Sequence, residues 1–279
     1  MRGIITIWLL LAFSSCTDDN LLLPQGKELV VVEGWITDQS TVHWVKLSRT
    51  TSFYSANPEI MITDATVAIE EQSTESQYPL GYDATSKRYL SDEFAGIQGR
   101  NYRLRIQLAN GSELLSEWEL LQPVPAIDLI EFENFEDTDP ETGEDIIVYY
   151  PVVVSNDPVE NANHYRYKGY RNGILMNTPE ELVLLSDQFN NGQELEHNIP
   201  AFRLALTDEI RIELHSLTHN AYQFLDLIKT QTTSLGSSSG TAPAKLVGNL
   251  RYLDNVNNEI VLGFFGASSV QSATAIVSE

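Results

Sequence analysis

YRLRIQLANG, residues 102–111, alternates apolar and polar side chains and then ends in Asn-Gly. Successive side chains of a β-strand point to opposite faces, so the tyrosine, the leucines and the isoleucine share one face. Asn-Gly supplies the positive φ angles of a tight turn, which predicts that the strand continues into a hairpin. The stretch therefore predicts a half-buried antiparallel strand, and it sets the fold class as mainly β.

The same alternation recurs in EIRIELH, residues 209–215, and a second Asn-Gly follows HYRYKGYR, residues 164–171. Two prolines interrupt LQPVPAID, residues 121–128, and proline breaks the hydrogen-bond ladder of a sheet. Six or seven short strands precede this point, with the spacing of an immunoglobulin-like sandwich. We therefore expect two β-sandwich domains, an immunoglobulin-like one over residues 27–122 and a second one over residues 126–279 that carries one packed α-helix.

That helix is predicted near residues 217–232, in SLTHNAYQFLDLIKTQTTS. Apolar residues recur on one helical face, and Ser216 or Thr218 is suited to cap the start. The residues of this face are Leu217, Ala221, Phe224, Leu225 and Ile228. We expect the helix to pack on the second sheet and to close its core.

The chain of 279 residues has a formal net charge of −22. Nucleic acids need a dense basic surface, so this balance excludes a nucleic-acid partner. The acidity predicts a well-solvated exterior. The alternative is a surface that attracts divalent cations or a basic partner.

The N-terminus has the layout of a lipoprotein export signal. A short basic end, Met1–Gly3, precedes the apolar run Ile4–Phe13 and then Cys16, the only cysteine. Ten apolar residues are too few to span a bilayer, which takes about 20. We expect residues 1–15 to be a signal peptide, Cys16 to be lipidated, and residues 16–26 to form a tether.

Catalytic motifs are missing from the sequence. It contains no G-x-S-x-G, H-E-x-x-H, phosphate-binding glycine loop or C-x-x-C. Paired carboxylates can hydrolyse glycosides, but 39 acidic residues produce many pairs by chance. We therefore expect no enzyme activity, no catalytic residue and no cofactor, with an extracytoplasmic hydrolase as the alternative.

Two stretches have the composition of a metal site. His215 and His219 are four residues apart, although the first belongs to a strand and the second to the helix, so an exposed pair at the turn is favoured.

FEDTDPETGED, residues 135–145, concentrates carboxylates as a calcium loop does. Counted from Asp137, however, its glycine is the seventh residue, whereas a helix-loop-helix calcium loop has glycine at the sixth position. A polar hairpin tip is favoured there. The calcium candidates are Asp137, Asp139, Glu141, Glu144 and Asp145.

HYRYKGYR is a basic and aromatic island in an acidic chain. Tyrosine and arginine are enriched in binding patches, and tyrosine rings can stack on sugars. The alternative is an ordinary strand, with Tyr165 and Tyr167 on one face and Arg166 and Lys168 on the other. The candidate binding patch is Tyr165, Arg166, Tyr167, Lys168, Tyr170 and Arg171.

Several motifs together resemble a known family. They are LVVVEGWITD (29–38), VKLSRT (45–50), GIQGRNYRLRIQLANGSELLS (96–116), PAKLVGNLRY (243–252) and VLGFFGASS (261–269). They are similar to uncharacterised lipoproteins of Bacteroidota, catalogued as a domain of unknown function. The resemblance implies an outer-membrane lipoprotein encoded beside a TonB-dependent transporter, with two β-sandwich-like domains and no established activity.

The family supplies no accepted binding residues. The motif residues are Gly34, Trp35, Gly248, Asn249, Gly263 and Phe264, and we expect them to be structural, with glycines allowing close strand approach and aromatic rings filling a core.

The sequence thus leads to two functional hypotheses. The first is a lipid-anchored outer-membrane accessory or ligand-binding protein that faces the cell surface and cooperates with a TonB-dependent transporter in nutrient or metal-complex uptake. The acidic residues just after Cys16 resemble tags for export to the cell surface. The alternative is a structural or adhesive surface lipoprotein with spacer-type β-sandwich domains.

Overall fold

A computed structural model describes residues 28–51, 59–139, 142–156, 163–186, 194–234, 245–254 and 259–278. The predicted signal peptide, Cys16 and the whole of the predicted tether lie outside these ranges. Within them the chain forms nineteen strands and one α-helix. The prediction of a mainly β chain with a single helix is therefore confirmed for the described residues.

The strands before residue 122 are β1 (Val30–Thr37), β2 (Thr41–Arg49), β3 (Ile60–Met61), β4 (Thr66–Glu71), β5 (Gln77–Asp83), β6 (Arg88–Phe94), β7 (Asn101–Gln107), β8 (Glu113–Ser116) and β9 (Glu119–Leu120). The later elements are β10 (Ile127–Thr138), β11 (Asp145–Asn156), β12 (His164–Arg171), β13 (Ile174–Leu175), β14 (Val183–Ser186), β15 (Glu194–Asn198), β16 (Glu209–Leu217), α1 (His219–Ser234), β17 (Val247–Tyr252), β18 (Ile260–Ser268) and β19 (Val270–Ile276).

Nine strands close on themselves in the order β1-β18-β17-β8-β7-β4-β5-β6-β2, and β2 pairs back to β1. β1 and β18 run parallel, and the other eight pairs of this ring are antiparallel. Neighbours that all alternate in direction can close a ring only if their number is even. A ring of nine strands therefore needs a parallel pair, and the β1–β18 pair meets this need.

This closed sheet corrects the prediction of an immunoglobulin-like first sandwich. The pair β1–β18 matches residues 31–37 with residues 262–268, so it joins two distant parts of the chain. β17 and β18 come from the segment assigned to the second domain, yet both lie in the first sheet. Alternation in the sequence identifies strands but carries no information on which distant strand each one pairs with. The structure therefore contains a closed, barrel-like sheet.

The interior of the closed sheet is filled by the side chains that the alternation predicted. Tyr102, Leu104 and Ile106 of β7 are almost completely buried, and Phe265 of β18 joins them. The predicted hairpin follows directly, because β7 pairs with β8 through a turn in which Gly111 has a φ of +86°. The fold-class interpretation of the opening stretch is therefore confirmed.

Glycines allow the ring to close. Gly263 of β18 has a φ of +90°, and a Cβ added there would lie 1.9 Å from the carbonyl oxygen of Val32 on β1. A Cβ added to Gly248 of β17 would lie 1.6 Å from the carbonyl oxygen of Gly263. Any side chain at either position would force backbone apart, so the expected structural role of these motif glycines has a direct steric cause.

Two short strands, β3 and β9, extend the first sheet by pairing with β2 and β7, and the other eight strands form two further sheets. One has the order β10-β11-β15, and the other has the order β13-β12-β16-β19 with β14 paired to β12. They share a second core, to which β11 contributes Tyr149 and Val153 and β16 contributes Ile210 and Ile212. The second predicted hairpin joins β12 to β13, where Asn172 and Gly173 both have positive φ. Below, the sheet built on β12 and β16 is called the five-stranded sheet.

The helix begins and ends two residues later than predicted. Thr218 caps it, because its Oγ accepts a hydrogen bond of 3.2 Å from the backbone N–H of Ala221. Ala221 and Leu225 are buried in a third cluster, together with Phe264 of β18 and Leu217 of β16. The predicted apolar face is therefore confirmed. Its partner is the junction between the closed sheet and the five-stranded sheet, and not the second core.

If the glycine contacts hold the ring closed, Gly263→Ala must destabilise the protein. We expect a loss of at least about 2 kcal/mol in the free energy of unfolding, because the methyl group meets backbone and the φ is positive. Gly81→Ala on β5 is the matched control, since nothing lies within 4 Å of its added Cβ. It should change stability by less than about 0.5 kcal/mol. Equal effects of the two substitutions in denaturant unfolding would contradict this account.

Candidate functional site

The predicted binding patch does not form one surface. Tyr165 and Tyr167 point into the second core and are each 1% exposed. Arg166 and Lys168 alternate with them on β12 and point to the opposite face of the five-stranded sheet. The strand alternative of the sequence analysis therefore describes the tyrosines correctly.

The last residue of the patch lies apart from the others. Arg171 is exposed and lines a broad groove of about 710 Å³ beside the β12–β13 hairpin. Ile174 on the same groove is 74% exposed. The six candidate residues are thus divided among a core, a sheet face and a separate groove.

The charged face of the five-stranded sheet is organised by the pairing of β12 with β16. This register places Arg166 opposite His215, Lys168 opposite Glu213, and Tyr170 opposite Arg211. The Arg211 guanidinium lies 3.7 Å from the centre of the Tyr170 ring. Tyr170, the fifth patch residue, therefore packs against β16 and is held by a cation–π contact.

Glu213 is the carboxylate of this face, and its oxygens are already occupied. They accept hydrogen bonds from Tyr170 Oη at 3.2 Å and His215 Nε2 at 3.1 Å, and they form an ion pair with Arg211. Burial alone would raise the pKa of Glu213, but the hydrogen bonds from His215 and Arg211 outweigh it and hold the pKa at about 2.

A small cavity lies where this charged face meets the outer face of the closed sheet. Its volume is about 30 Å³. We call it the cationic cavity, and it is lined by Arg166, Lys168 and His215 of the five-stranded sheet and by Trp35, Thr37 and Ser268 of the closed sheet. The cavity therefore brings together residues that are far apart in the sequence, such as Trp35 and Ser268.

The groups in the cationic cavity are strongly affected by burial. Burial and, to a smaller extent, the nearby Arg166 charge lower the pKa of Lys168 to about 8, although the Glu213 carboxylate opposes this change. Burial lowers the pKa of Arg166 as well. The Nε of Arg166 and the Oγ of Ser268 are fully buried and have no hydrogen-bond partner among the described residues. The cavity thus contains unpaired polar atoms and positive charge, and no carboxylate is among its lining residues.

Aromatic stacking positions the closed-sheet wall of the cavity. The Trp35 ring lies over Gly266, where an added Cβ would come within 2.2 Å of it. Trp35 stacks on Phe264 at 5.9 Å between ring centroids, and Phe264 stacks on Phe224 of the helix at 5.0 Å. The expectation that these motif aromatics are structural is supported for Phe264, whereas Trp35 also lines the cavity.

A buried polar network fixes the helix to the closed sheet. Asn249 replaces part of the irregular β17–β18 ladder by hydrogen bonding to both the N–H and the C=O of Phe265. Its Nδ2 also donates to Glu119 Oε1 at 2.9 Å, and the other oxygen of Glu119 accepts from Thr218 at 2.5 Å. Because Glu119 is 1% exposed, burial raises its pKa despite these hydrogen bonds. The motif residue Asn249 is therefore structural, as expected.

A second pocket, whose lining includes three acidic side chains, has a different electrostatic character. It lies on β4 and β7, with a volume of about 360 Å³. Its wall residue Glu70 pairs with Arg103 and Arg105, and Glu71 pairs with Arg100 at 2.9 Å. These two carboxylates have their own countercharges, and the third carboxylate of the lining, Glu75, is exposed to solvent.

The calcium candidates lie at the tip of the β10–β11 hairpin, the position that the sequence favoured. Asp137 pairs with Arg203 at 2.7 Å. Glu141 lies outside the described residues. Where the structure describes the chain, no three histidine, cysteine or carboxylate side chains are close enough to hold a metal ion.

The two histidines proposed as a metal pair do not converge. His219 is exposed, and its Nδ1 lies 3.1 Å from Nε2 of His164. His215 is only 6% exposed and contacts Glu213 instead. The prediction of an exposed pair is therefore wrong for His215, because the closed sheet covers its face. The residues around His215 in the sequence give no indication that the closed sheet packs over this face.

The burial of His215 predicts a pH dependence of stability. Burial lowers the pKa of His215 to about 4, against the opposing hydrogen bond from Glu213, and Lys168 and Arg166 add to the lowering. In the unfolded chain this imidazole takes a proton near pH 6.5. The unfolded state therefore binds more protons between pH 6.5 and 4, and stability falls as the pH falls through this window.

We expect His215→Gln to reduce the slope of unfolding free energy between pH 6.5 and 4.5 by up to about 1.4 kcal/mol per pH unit. Urea unfolding at fixed ionic strength measures this slope. The absolute stability of the variant is a separate quantity, so the comparison holds even if the substitution is destabilising. Identical slopes for the two proteins would show that His215 titrates normally.

The helix α1 has 16 residues, and nothing helical among the described residues has the length and hydropathy required for a membrane span. Comparison with curated proteins finds no match. A family model described as a domain of unknown function, DUF4249, matches residues 18–274, which is nearly the whole chain. This match agrees with the resemblance to an uncharacterised family. The chain therefore belongs to the DUF4249 family.

Proposed function

We propose that this protein is a lipid-anchored outer-membrane lipoprotein that binds a ligand and cooperates with a TonB-dependent transporter in nutrient or metal-complex uptake. The observation that carries the proposal is Cys16, the only cysteine, which follows an apolar run of export-signal length and two small serines. Cleavage before Cys16 would leave it at the N-terminus, where acyl chains can be attached. Each buried CH₂ contributes about 0.8 kcal/mol, so two or more chains would hold the protein on a membrane.

The position of the first strand supports an anchored arrangement. β1 begins at Val30, fourteen residues after Cys16. A chain of that length reaches at most about 50 Å when fully extended. The folded part would therefore remain within reach of a membrane partner and still be free to orient toward it.

The overall charge supports a lipid anchor rather than adsorption. A net charge of −22 opposes contact with anionic head groups, so attachment would depend on the acyl chains. The cationic cavity supports the binding half of the proposal for one anionic group of a ligand, because polar groups converge on it although its volume is only about 30 Å³.

A structural or adhesive surface lipoprotein is the second candidate. It is favoured by exposed apolar side chains along the β10–β11 hairpin, where Leu129, Phe135 and Ile147 are about half exposed. Exposed apolar groups of this kind are suited to protein contact. The uptake hypothesis is preferred because an adhesive spacer has no need of the cationic cavity.

A cross-linked pull-down from mildly solubilised outer membranes tests the proposal. We expect the wild-type protein to be recovered from the outer membrane together with a transporter that mass spectrometry identifies. Cys16→Ala removes the acylation site and should abolish both palmitate labelling and this recovery. Ser15→Ala is the matched control, because a small residue remains before the cysteine and processing should continue.

Two outcomes would contradict the proposal. Equal palmitate labelling of the wild type and Cys16→Ala would exclude lipidation at Cys16. Recovery of the labelled wild-type protein without any transporter would exclude the accessory role. A strain that lacks the protein and loses cell attachment while its nutrient uptake stays normal would favour the adhesive alternative.

A further inference from the structure

The cationic cavity contains two positive charges that the described carboxylates leave uncompensated. Neither Arg166 nor Lys168 forms an ion pair with an acidic side chain of the described residues. Glu213 lies opposite Lys168 on β16, but its oxygens are engaged by Arg211, His215 and Tyr170. This face therefore carries two positive charges that no carboxylate of the described residues pairs with.

Two hydrogen-bond donors in the cavity also lack acceptors. Arg166 Nε and Ser268 Oγ are fully buried and have no partner among the described residues. They come from different sheets, one from β12 and one from β18, and both residues line the same cavity. Buried donors are almost always satisfied in native proteins, by protein, water or a bound group. A bound acceptor would satisfy both.

Keeping these cations buried costs free energy that ordinary packing would avoid. Burial lowers the pKa of both Lys168 and Arg166, which shows that the surroundings destabilise their charged forms relative to water. The two charges also repel each other. Buried cations persist in proteins when an opposite charge compensates them, and an anion between them would supply it.

The contrast with other ion pairs of the chain strengthens this argument. Glu70 is held by two arginines, and Glu71 is held by Arg100 and by the backbone and hydroxyl groups of its own turn. The protein is strongly acidic, so countercharges for an arginine or a lysine are plentiful elsewhere. A half-buried pair of cations that faces a cavity without a paired carboxylate is therefore an exception in this protein, and a bound anion would account for it.

The size of the cavity limits what can enter. Its volume of about 30 Å³ is close to the space for two water molecules, at roughly 10–15 Å³ each. A chloride ion or a single carboxylate group fits this space. A nucleotide or a sugar phosphate does not.

We propose that the cationic cavity is a binding site for a small monovalent anion, either chloride or the carboxylate group of a small organic acid, held between Arg166 and Lys168 with Ser268 as a further donor. This inference deepens the ligand-binding part of the proposed function. It concerns the folded protein alone, so it can fail while lipid anchoring and transporter association hold, or hold while they fail.

The test is a melting-temperature titration of the purified full chain in a chloride-free sulfate buffer at constant ionic strength. Sodium chloride and sodium formate are the two probes. We expect a saturable rise of several degrees with at least one of them, because a ligand that binds only the folded state stabilises it. A response to chloride alone, to formate alone, or to both identifies the source of the anion.

Lys168→Met removes one charge and keeps the length of the side chain. We expect it to weaken the apparent affinity at least about tenfold, and to raise the melting temperature in the absence of anion because a buried cation is lost. Lys46→Met is the matched control, since Lys46 lies on the outer face of the closed sheet and pairs with Glu59 at 2.7 Å. Its anion response should equal that of the wild type.

Arg166→Met provides the second variant if Lys168→Met does not fold, and it should weaken the response in the same way. No rise with either probe beyond that caused by sulfate at equal ionic strength would overturn the proposal. An undiminished response in Lys168→Met or Arg166→Met would also overturn it, because the anion would then bind elsewhere.

Discussion

The parallel pair of β1 with β18 is the constraint on which the rest of this structure depends. Nine strands cannot close a ring by antiparallel pairing alone, and this pair supplies the required match in direction. The backbones approach so closely that Gly263 and Gly248 have no room for a side chain. The pair also ties the first described strand to the last third of the chain, so the closed sheet cannot be completed until both parts are present.

The candidate site is a consequence of this closure. β1 and β18 lie side by side, and their outward side chains, Trp35, Thr37 and Ser268, form one wall of the cationic cavity. The five-stranded sheet supplies the opposite wall. The helix contacts the closed sheet through stacked aromatic rings, and it contacts β12 through the edge-on pair of Tyr222 with His164. Carboxylates that pair with arginines, such as Glu70 and Glu71, are expected in an acidic protein and do not mark a site. The site is distinguished by two cations that lack partners.

Local properties of the fold could be predicted from the sequence, because they depend on neighbouring residues. The alternation of β7, the Asn-Gly hairpins and the Thr218 cap each follow from period or turn chemistry within about ten residues. Long-range pairing could not be predicted, because the alternation of side chains along β18 does not show that β1 is its neighbour in the sheet. For the same reason His215 was expected to be exposed, and the tyrosines of β12 were grouped with basic residues that lie on the opposite face.

Expression of residues 27–122 alone tests most directly whether closure depends on the C-terminal strands. This fragment carries β1 to β9 but lacks β17 and β18, so β1 and β8 would each lose a neighbour. The account predicts that the fragment shows no cooperative thermal unfolding, and that adding residues 123–279 restores it. A fragment that unfolds cooperatively by itself, with a fixed tertiary circular-dichroism signal, would show that the first part of the chain is an independent domain and would contradict the account.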